Sequence, residues 1–514
     1  MILVKDIKLP PEKAADVKKA AAKKLAVSED DITDIKILRR SIDARKKPMY
    51  IFTAAVSLRN EKNVSGERYE GIKPIYIKKA KFRKRPVIAG FGPAGMFAAL
   101  MLARAGAMPL VLEQGKSVEE RKRDVAAFFS GGELCESSNI QFGEGGAGTF
   151  SDGKLATGIK SRYIKNVLGT FVEFGAKEDI LIDAKPHIGS DVLPRVVTNI
   201  RKEIERLGGE VKFETTLEDI ITDKNVLCGV KTDKGEIETD TLFLAVGHSA
   251  GKTFGMLQKN GVRLESKPFS VGCRIEHLQK DISRAQYGAA SKILPPADYK
   301  LACHLKNGFS VYTFCMCPGG YVVNSGSEKG GIVTNGYSES RRDGKNANSA
   351  LLVGVSPEVF GDDPLGGIEF QRKIEKAAFD ISGSFKAPCQ LVGDFLQGKE
   401  SRRIGDIEPT FSGGVTLSDI SLCLPRFASE SLREGIRQFA TRLHGFDRYD
   451  AVLTAPETRS SSPVRIVRDK ESMQSGIKGI YPIGEGSGYA GGITSSAIDG
   501  IYAAEKAIEL NLGG

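Results

Sequence analysis

The sequence predicts an α/β fold in which a Rossmann-like β/α domain is interrupted by an inserted α+β domain and preceded by a small N-terminal βαββ module. A strand, a glycine turn, a helix and a second strand follow one another at residues 86–113, and a similar strand, turn and helix return at 479–510. Between these units, residues 267–336 are rich in β-branched and aromatic residues, which favour strands. The 514 residues also exceed what one hydrophobic core usually organises, so two or three domains are expected.

Residues 1–77 have the pattern of a separate α+β module. Apolar residues alternate at the start of the chain, a helix is predicted at 11–25, and β-rich stretches follow at 34–41 and 49–58. This order predicts a compact βαββ unit. Residues 78–85 are mostly Lys and Arg, and we interpret them as a basic, solvated linker rather than a nucleic-acid-binding arm.

Residues 86–113 have the pattern of a dinucleotide-binding unit. Gly90 permits a tight turn, Gly92 lets the backbone approach a pyrophosphate, and Gly95 lets the helix pack on the sheet. The second strand ends at Glu113, 113 − 95 = 18 residues after the last glycine, where a ribose hydroxyl needs an acceptor. The unit therefore predicts a bound adenine dinucleotide. Its expected cofactor contacts are Gly90, Gly92, Pro93, Ala94, Gly95, Glu113 and Gln114.

A glycine-dense stretch at 143–154 follows a predicted helix over 118–129. Five glycines in eleven residues cannot form a packed element, so we expect a loop whose backbone lies close to a ligand. Successive small residues expose amide groups that suit an anion or the edge of a polar ring. The contacts expected from this loop are Gly145, Gly146 and Gly148.

The C-terminal segment 479–493 combines a short strand, a carboxylate and a glycine turn, and a helix is predicted from there to about Leu510. The carboxylate can accept hydrogen bonds from hydroxyl groups, and the helix start supplies amide donors. This arrangement suits the ribityl and phosphate oxygens of a flavin nucleotide. The expected contacts are Gly484, Glu485, Gly491, Gly492 and Ile493.

Composition and charge narrow the function classes. Apolar residues make up 41% of the chain and charged residues 27%, which is ordinary for a soluble globular protein. No apolar run has membrane-spanning length and the first residues lack a secretory signal, so a cytoplasmic protein without membrane contact is expected. The net charge of +10 lies partly in short runs, which argues against nucleic acid as a partner. The eight cysteines lack paired metal spacings, so reduced thiols and no metal site are expected.

Four strings of residues carry a resemblance to a known family. The chain resembles FAD proteins of the glutathione-reductase-like class and, more closely, a family of bacterial FAD-dependent dehydrogenases whose substrate is unidentified. The resemblance covers nearly the whole chain, including the N-terminal module. The strings are Gln141 to Thr149, Cys315 to Gly320, Glu457 to Arg465 and Gly484 to Gly492.

The resemblance implies that FAD is the cofactor, with its ADP half held by the first glycine turn and Glu113. It also implies that Arg121 lies near the pyrophosphate or the ribose, and that Glu485 holds the ribityl chain. The predicted strand 239–246, which is halted by Gly247, would pass near the dinucleotide.

The resemblance further implies a domain plan and a reaction. Residues 86–250 and 450–514 would form the FAD-binding domain, and residues 251–449 an inserted substrate domain. The expected activity is that of an FAD-dependent oxidoreductase, a dehydrogenase that transfers a hydride between a small organic substrate and FAD. No second glycine fingerprint with its carboxylate is visible, so NAD(P)H would dock only transiently as an electron partner. A flavin-dependent monooxygenase and a nucleic-acid-associated, tRNA-modifying flavoprotein are left open as alternatives.

Cys315 and Cys317 are the candidate catalytic residues, because a CxC pair beside Pro318 places sulfur on a loop that can face an isoalloxazine ring. As a hypothesis they form a redox relay or a thiolate site; the alternative is two small, buried strand residues. The CxxxxC pair of glutathione-reductase-type enzymes is absent after the first glycine turn. Separately, the string from Gly247 to Gly251 matches the nucleophile elbow of serine hydrolases, with Ser249 as the nucleophile.

Overall fold

The structure, a computed structural model, describes residues 1–61 and 64–511 and has the α/β fold that the sequence predicts. The strands are β1 (Ile2–Leu9), β2 (Ile32–Asp43), β3 (Met49–Leu58), β4 (Val87–Ala89), β5 (Leu110–Leu112), β6 (Glu210–Lys212), β7 (Leu217–Asp223), β8 (Val226–Thr232), β9 (Gly235–Glu238), β10 (Leu242–Leu244), β11 (Leu264–Ser266), β12 (Phe269–Leu278), β13 (Ala302–His304), β14 (Ser310–Cys317), β15 (Tyr321–Asn324), β16 (Thr334–Tyr337), β17 (Asn346–Val355), β18 (Ala387–Leu391), β19 (Val415–Leu417), β20 (Val452–Glu457), β21 (Val464–Ile466) and β22 (Ile480–Pro482).

The helices connect and cover these strands. They are α1 (Val17–Leu25), α2 (Pro93–Ala105), α3 (Val118–Phe129), α4 (Ile164–Glu173), α5 (Leu193–Arg206), α6 (Gly251–Lys259), α7 (Gln279–Tyr287), α8 (Pro357–Phe360), α9 (Gly366–Ser382), α10 (Val392–Gln397), α11 (Arg426–Ala440) and α12 (Ile493–Asn511). Short 3₁₀ turns lie at Pro11–Lys13, Glu29–Asp31, Gly146–Phe150, Glu178–Leu181, Gly288–Lys292 and Ile420–Leu422. Within the described residues, no helix combines the length and the hydropathy that crossing a bilayer requires.

The predicted N-terminal βαββ module is confirmed. Its antiparallel sheet has the order β1-β3-β2, and α1 packs on it over a core that includes Ile2 and Phe52. The module also joins the rest of the chain through Arg40. The amide of Arg40 donates to the carbonyl of Ile182 at 2.7 Å, and its Nε donates to the Asp183 carboxylate at 2.8 Å.

The basic linker runs along the surface of the β/α domain. Nε of Arg83 lies 3.2 Å from the carboxylate of Asp240, and Nη1 of Arg85 lies 2.7 Å from that of Glu210. The linker charges are thus partly paired with acidic residues of this domain.

The β/α domain is built on a parallel sheet with the order β22-β10-β4-β5-β6. The chain segment that connects β6 to β10 forms a separate antiparallel sheet of β7, β8 and β9. Helices α2, α5 and α12 share one hydrophobic core with this sheet. Because β4, β10 and β22 are neighbours, the turns at Gly90, Val246 and Gly484 meet at one edge of the sheet. This edge, at the carboxyl ends of parallel strands, is where such folds bind ligands.

The inserted domain is built on a seven-stranded sheet with the order β13-β14-β17-β12-β20-β18-β19. Helices α9 and α11 contribute to its core.

The predicted boundaries of the inserted domain, at 251 and 449, differ from the structure. Helix α6 packs through Phe254 and Leu257 on the β/α domain, and β11 pairs with β21, so the inserted sheet begins only at β12. At the other boundary, β20 lies between β12 and β18 and therefore belongs to the inserted sheet. The difference arises because the residues of a short apolar strand do not specify which sheet it joins.

Candidate functional site

A cavity of about 360 Å³ lies where the turns after β4, β10 and β22 face the seven-stranded sheet. We call its two sides the glycine wall and the polar wall. The glycine wall contains the predicted residues Gly90, Gly92, Pro93, Ala94, Glu113, Gln114, Gly146, Gly148, Gly247, Gly484, Glu485, Gly491, Gly492 and Ile493. The polar wall consists of Asp152, Lys154, Phe314, Cys315, Asn335, Glu457 and Arg459.

The first glycine turn requires glycine at two positions for steric reasons. Gly90 has a φ of 101°, and a Cβ on it would lie 2.4 Å from the carbonyl oxygen of Ala245. A Cβ on Gly95 would lie 2.0 Å from the carbonyl oxygen of Gly90. Gly95 does not itself line the cavity; it lets α2 lie directly on the turn.

The start of α2 points its amide groups at the cavity. Gly92 is the N-cap residue in an extended conformation, and Pro93 occupies the first turn. The amides of Ala94 and Gly95 have no acceptor within the helix, as at every helix start. Such a helix N-terminus is a ready site for phosphate oxygens.

Glu113 ties the first turn to the glycine-dense loop. One carboxylate oxygen, Oε1, accepts hydrogen bonds from the amides of Gly115 at 2.9 Å and Gly143 at 3.0 Å. The other, Oε2, accepts one from the amide of Phe91 at 2.9 Å. A carboxylate has about four acceptor positions, so Oε2 keeps capacity for a hydroxyl donor in the cavity.

The glycine-dense loop packs between the starts of α2 and α12. A Cβ on Gly146 would lie 3.0 Å from the Cα of Gly92, and a Cβ on Gly148 would lie 3.1 Å from the side chain of Ile493. Gly145 has a different position from the one predicted, since it does not line the cavity. Its amide donates to the carbonyl of Phe91 at 2.9 Å, and it thereby fixes the loop against the first turn.

Arg121 also has a different position from the one that the resemblance implied. It is fully buried behind the glycine-dense loop and does not line the cavity. Its guanidinium donates at 2.7–3.2 Å to backbone carbonyls of Asn139, Ile140, Gly143, Glu144 and Gly146. Burial lowers the pKa of Arg121 to about 10. Arg121 therefore holds the loop in shape, because a planar fork of five N–H donors satisfies carbonyls that face inward from a curled backbone.

The C-terminal turn is fixed by an ion pair. The amide of Gly484 donates to the Asp499 carboxylate at 2.8 Å, and this carboxylate pairs with Nη2 of Arg468 at 2.6 Å. Glu485, the next residue, lines the cavity. Desolvation raises the pKa of Glu485 to about 7, although the nearby Lys267 ammonium opposes the shift.

On the polar wall, β14 presents Cys315 to the cavity. The pairing of β14 with β17 changes register between Phe314 and Cys317, and Cys315 has a φ of 44° in this bulge. Nη1 of Arg274, which is fully buried, donates to the carbonyl of Cys315 at 2.9 Å. Cys317 is buried behind Cys315 and does not line the cavity, unlike its predicted partner.

Lys154 lies beside both thiols. Its Nζ is 3.7 Å from Sγ of Cys315, 3.4 Å from Sγ of Cys317 and 2.8 Å from a carboxylate oxygen of Asp152. Burial opposes the effect, but the Asp152 carboxylate raises the pKa of Lys154 above its ordinary value. The ammonium is therefore charged wherever the protein is folded near neutral pH.

His248 and Ser249 follow β10, as the hydrolase alternative requires, and their side chains lie 2.9 Å apart. Burial lowers the pKa of His248 to about 4. Among residues 1–61 and 64–511, no carboxylate lies within hydrogen-bond distance of this imidazole, so the described chain does not assemble a Ser-His-acid triad.

Sequence reasoning did not single out Asp152, Lys154, Arg274 or Glu457 as site residues. A signal existed for three of them. Asp152 and Lys154 end the loop that the sequence predicts to face a ligand, and Arg274 interrupts a strand, β12, whose residues are all buried. A buried arginine is almost always paired with a group of opposite charge, and Nε of Arg274 donates to the carboxylate of Glu457 at 2.6 Å.

The residues of the glycine wall fit FAD. A Cβ on Gly146 would lie 3.0 Å from the Cα of Gly92, so the glycine-dense loop lies close against the first turn. The start of α2 offers amides to a pyrophosphate, and Glu113 offers a ribose acceptor. Within the part of the chain that the structure describes, no group of three His, Cys, Asp or Glu side chains is arranged to hold a metal ion.

Comparison with known proteins agrees with this fit. A family described as "FAD-dependent protein, C-terminal domain-like" matches residues 268–460, the span from β12 to just after β20, and a domain of unknown function matches residues 1–57. An uncharacterised protein of Clostridium beijerinckii is 45% identical over 511 residues, which cover 96% of both chains.

Two solved structures resemble the chain remotely. A quinol fumarate reductase of E. coli has 13% identity and a TM-score of 0.38, covering 85% of this chain and 72% of that chain. A glycine oxidase of Bacillus cereus has 11% identity and a TM-score of 0.31, covering 84% of this chain and 95% of that chain. Neither likeness is close enough to assign a function, and the sequence matches decide the family. The chain belongs to the bacterial family of FAD-dependent oxidoreductases that its sequence resembles, and FAD is its cofactor.

Proposed function

We propose that the protein is a dehydrogenase that transfers a hydride between a small organic substrate and FAD. The observation that carries this proposal is the two-sided cavity, in which backbone turns suited to a dinucleotide face the side chains of the polar wall. A substrate held by the polar wall would lie against the cofactor held by the glycine wall. When bound, FAD supplies the redox chemistry, and the chain supplies position and electrostatics.

The glycine wall would bind the cofactor through backbone groups and two carboxyls. The amides at the start of α2 would hold phosphate oxygens, and Glu113 would accept a ribose hydroxyl. Glu485 has a pKa of about 7, so near neutral pH its carboxyl can either donate a hydrogen bond to the ribityl chain or accept one from it.

The polar wall would hold the substrate with groups that are themselves held in place. Arg459 lines the cavity while its Nη2 donates to Glu375 at 2.7 Å, and Lys154 is held by Asp152. Side chains fixed by such pairs keep their positions when a substrate enters, and this lowers the cost of orienting it. Lys154 would stabilise negative charge that develops on the substrate.

The second half-reaction needs an electron partner. We propose that this partner is a diffusible molecule in the cytoplasm, with NAD(P)H docking transiently at the open side of the cavity as the first candidate. Docking would be transient because the sequence contains only one glycine fingerprint with its carboxylate, so no permanent nicotinamide-binding domain is predicted.

The experiment is an anaerobic screen of the purified holoprotein. Release of FAD on denaturation establishes the cofactor content, and loss of the oxidised-flavin absorbance identifies a substrate among amines, alcohols, hydroxy acids and reduced nicotinamides. Deuterium at the transferred position should slow the absorbance change if a hydride moves. In a parallel assay in air, product hydroxylation coupled to oxygen consumption would instead indicate a monooxygenase. A protein that cannot be loaded with FAD would contradict the proposal.

A further inference from the structure

The polar wall contains two thiols in different environments. Cys315 is partly exposed and lines the cavity, whereas Cys317 is fully buried directly behind it. The bulge in β14 interrupts the regular alternation of side chains along the strand and turns Cys315 towards the cavity, while Cys317 stays buried. An outer thiol therefore stands in front of an inner one.

The two sulfur atoms share one cation. Nζ of Lys154 lies within 3.7 Å of Cys315 and 3.4 Å of Cys317, and Sγ of Cys317 also lies 3.3 Å from the carbonyl oxygen of Cys315. Asp152 fixes the lysine from the other side at 2.8 Å. A positive charge held at this place favours a thiolate on the pair.

Cys315 differs in its pKa from the buried cysteines of the chain, all of which lie within the described residues. The hydrogen bond from Cys317 and, against burial, the charges of Lys154 and Arg274 hold the pKa of Cys315 below its ordinary value. The same hydrogen bond and burial raise the pKa of Cys317, so the shared proton lies on the inner sulfur. By contrast, burial raises the pKa of Cys389 and of Cys423 to about 12.

We propose that Cys315 and Cys317 form a second two-electron redox centre, a dithiol that is converted to a disulfide by oxidised FAD in the same cavity. As the sulfur–sulfur bond forms, the Cys315 thiolate and the Cys317 thiol release two electrons and the proton of Cys317. The two electrons and the proton pass to oxidised FAD, which becomes anionic reduced FAD, and the reverse transfer regenerates the thiolate and the thiol.

This inference rests on the proposed function, since it needs a flavin that is reduced and oxidised at the cavity. It adds a storage site, so that one molecule holds two electrons on sulfur and two on the flavin. Lys154 would serve as a positioning residue whose ammonium keeps the sulfur of Cys315 ionised while the pair is in the dithiol state.

The test is an anaerobic titration of the oxidised holoprotein with dithionite. The wild-type protein should take up about four electrons per FAD, because a disulfide is itself a two-electron couple. Cys315→Ser and Cys317→Ser should each take up about two. Cys228→Ser is the matched control, since Cys228 lies on β8 outside the cavity, and it should behave as the wild type.

A thiol count that does not depend on FAD separates this inference from the proposed function. After mild oxidation and unfolding of the apoprotein, two fewer cysteines should react with a maleimide than after full reduction, and peptide mapping should locate the loss at Cys315 and Cys317. Equal labelling in both states, together with uptake of only two electrons by the wild type, would overturn the redox pair. A flavin that is never reduced, with the disulfide still formed, would instead contradict the proposed function.

Discussion

A Cβ atom built on Gly500 would lie 2.1 Å from the carbonyl oxygen of Ala94, so α12 and α2 meet backbone to backbone. These helices come from opposite ends of the β/α domain, and each begins in a glycine turn of the same cavity. A Cβ on Gly484 would likewise lie 2.7 Å from Cβ of Ala94. The close crossing therefore sets the distance between the two turns that would grip one cofactor.

We expect Gly500→Val to destabilise the protein by about 1–3 kcal/mol, because the new side chain must push the two helices apart. The free energy of unfolding, measured in denaturant, checks this value. Gly169→Ala is the control, since Gly169 lies in α4 and no atom beyond its chain neighbours and the backbone of its own helix lies within 4 Å of the place its Cβ would occupy. Alanine also favours a helix. A variant at Gly500 as stable as the wild type would contradict the close crossing.

Gly92→Ala should weaken FAD binding while leaving the apoprotein folded. The φ of Gly92 is −76°, and its Cβ would meet only the Cα of Gly146 at 3.7 Å, so the apoprotein tolerates the methyl group. The methyl group would lie where a pyrophosphate approaches the backbone, and we expect the Kd for FAD to rise at least about tenfold, or 1.4 kcal/mol.

Calorimetric titration of the apoprotein with FAD measures this change. Gly158→Ala serves as its control, because Gly158 has open space around its Cβ and lies outside the cavity. An unchanged Kd for Gly92→Ala would argue against the predicted position of the pyrophosphate.

Lys154→Met should raise the pKa of the Cys315 thiol, since it removes a cation that stabilises the thiolate. The rate of Cys315 alkylation, followed by peptide mapping at several pH values, should show its midpoint move to higher pH. Because the thiolate is the reacting form, the rate below the midpoint should fall about tenfold when the midpoint rises by about one pH unit. The charged and titratable groups facing this thiol are Asp152, Lys154, Arg274, Cys317, Glu457 and Glu485.

Lys160→Met, at an exposed position, should leave the alkylation profile unchanged. If both lysine variants show the wild-type midpoint, Lys154 has no effect on the thiol.

Glu485→Gln should change how the stability of the apoprotein depends on pH. The folded pKa of Glu485 is about 7, above the usual value of about 4.3 for an unfolded chain, so the folded state retains a proton that the unfolded state loses. Wild-type stability should therefore fall relative to the variant as the pH rises from about 4.3 to 7, by roughly 3.5 kcal/mol, and the difference should stay constant above that range.

Thermal or denaturant unfolding of both proteins across this pH range measures the difference. Glu236→Gln, which changes an exposed carboxyl on β9, should run parallel to the wild type. A difference between Glu485→Gln and the wild type that does not vary with pH would show that Glu485 ionises normally.

Much of the fold could be predicted because its signals are local. The helix α3 begins and ends at the residues predicted from the pattern, and the βαββ order of the N-terminal module is the observed one. Most of the glycines predicted for the cofactor line one cavity, because their spacing reflects steric requirements of a few neighbouring residues.

The positions of charged and sulfur-containing side chains were less predictable. The resemblance places Arg121 at the cofactor, but this residue satisfies loop carbonyls, and the CxC pattern places Cys317 in the cavity, but it lies behind Cys315. The predicted domain plan puts β20 in the FAD-binding domain, whereas this strand lies in the inserted sheet. Each difference depends on contacts with residues that are distant in the sequence, or that the spacing of the motif does not distinguish from their neighbours.

The sequence by itself determined the dinucleotide-binding turn, the family and the cofactor, because close backbone approach requires glycine at set intervals and a carboxylate at the strand end. Only the tertiary structure decided that Lys154 meets Cys315 and Cys317, more than 150 residues away, and that Arg274 holds the carbonyl between them. The first contact arises where two domains pack and the second within one sheet, between β12 and β14. The chain carries no local periodicity that records which side chains either kind of packing will bring together.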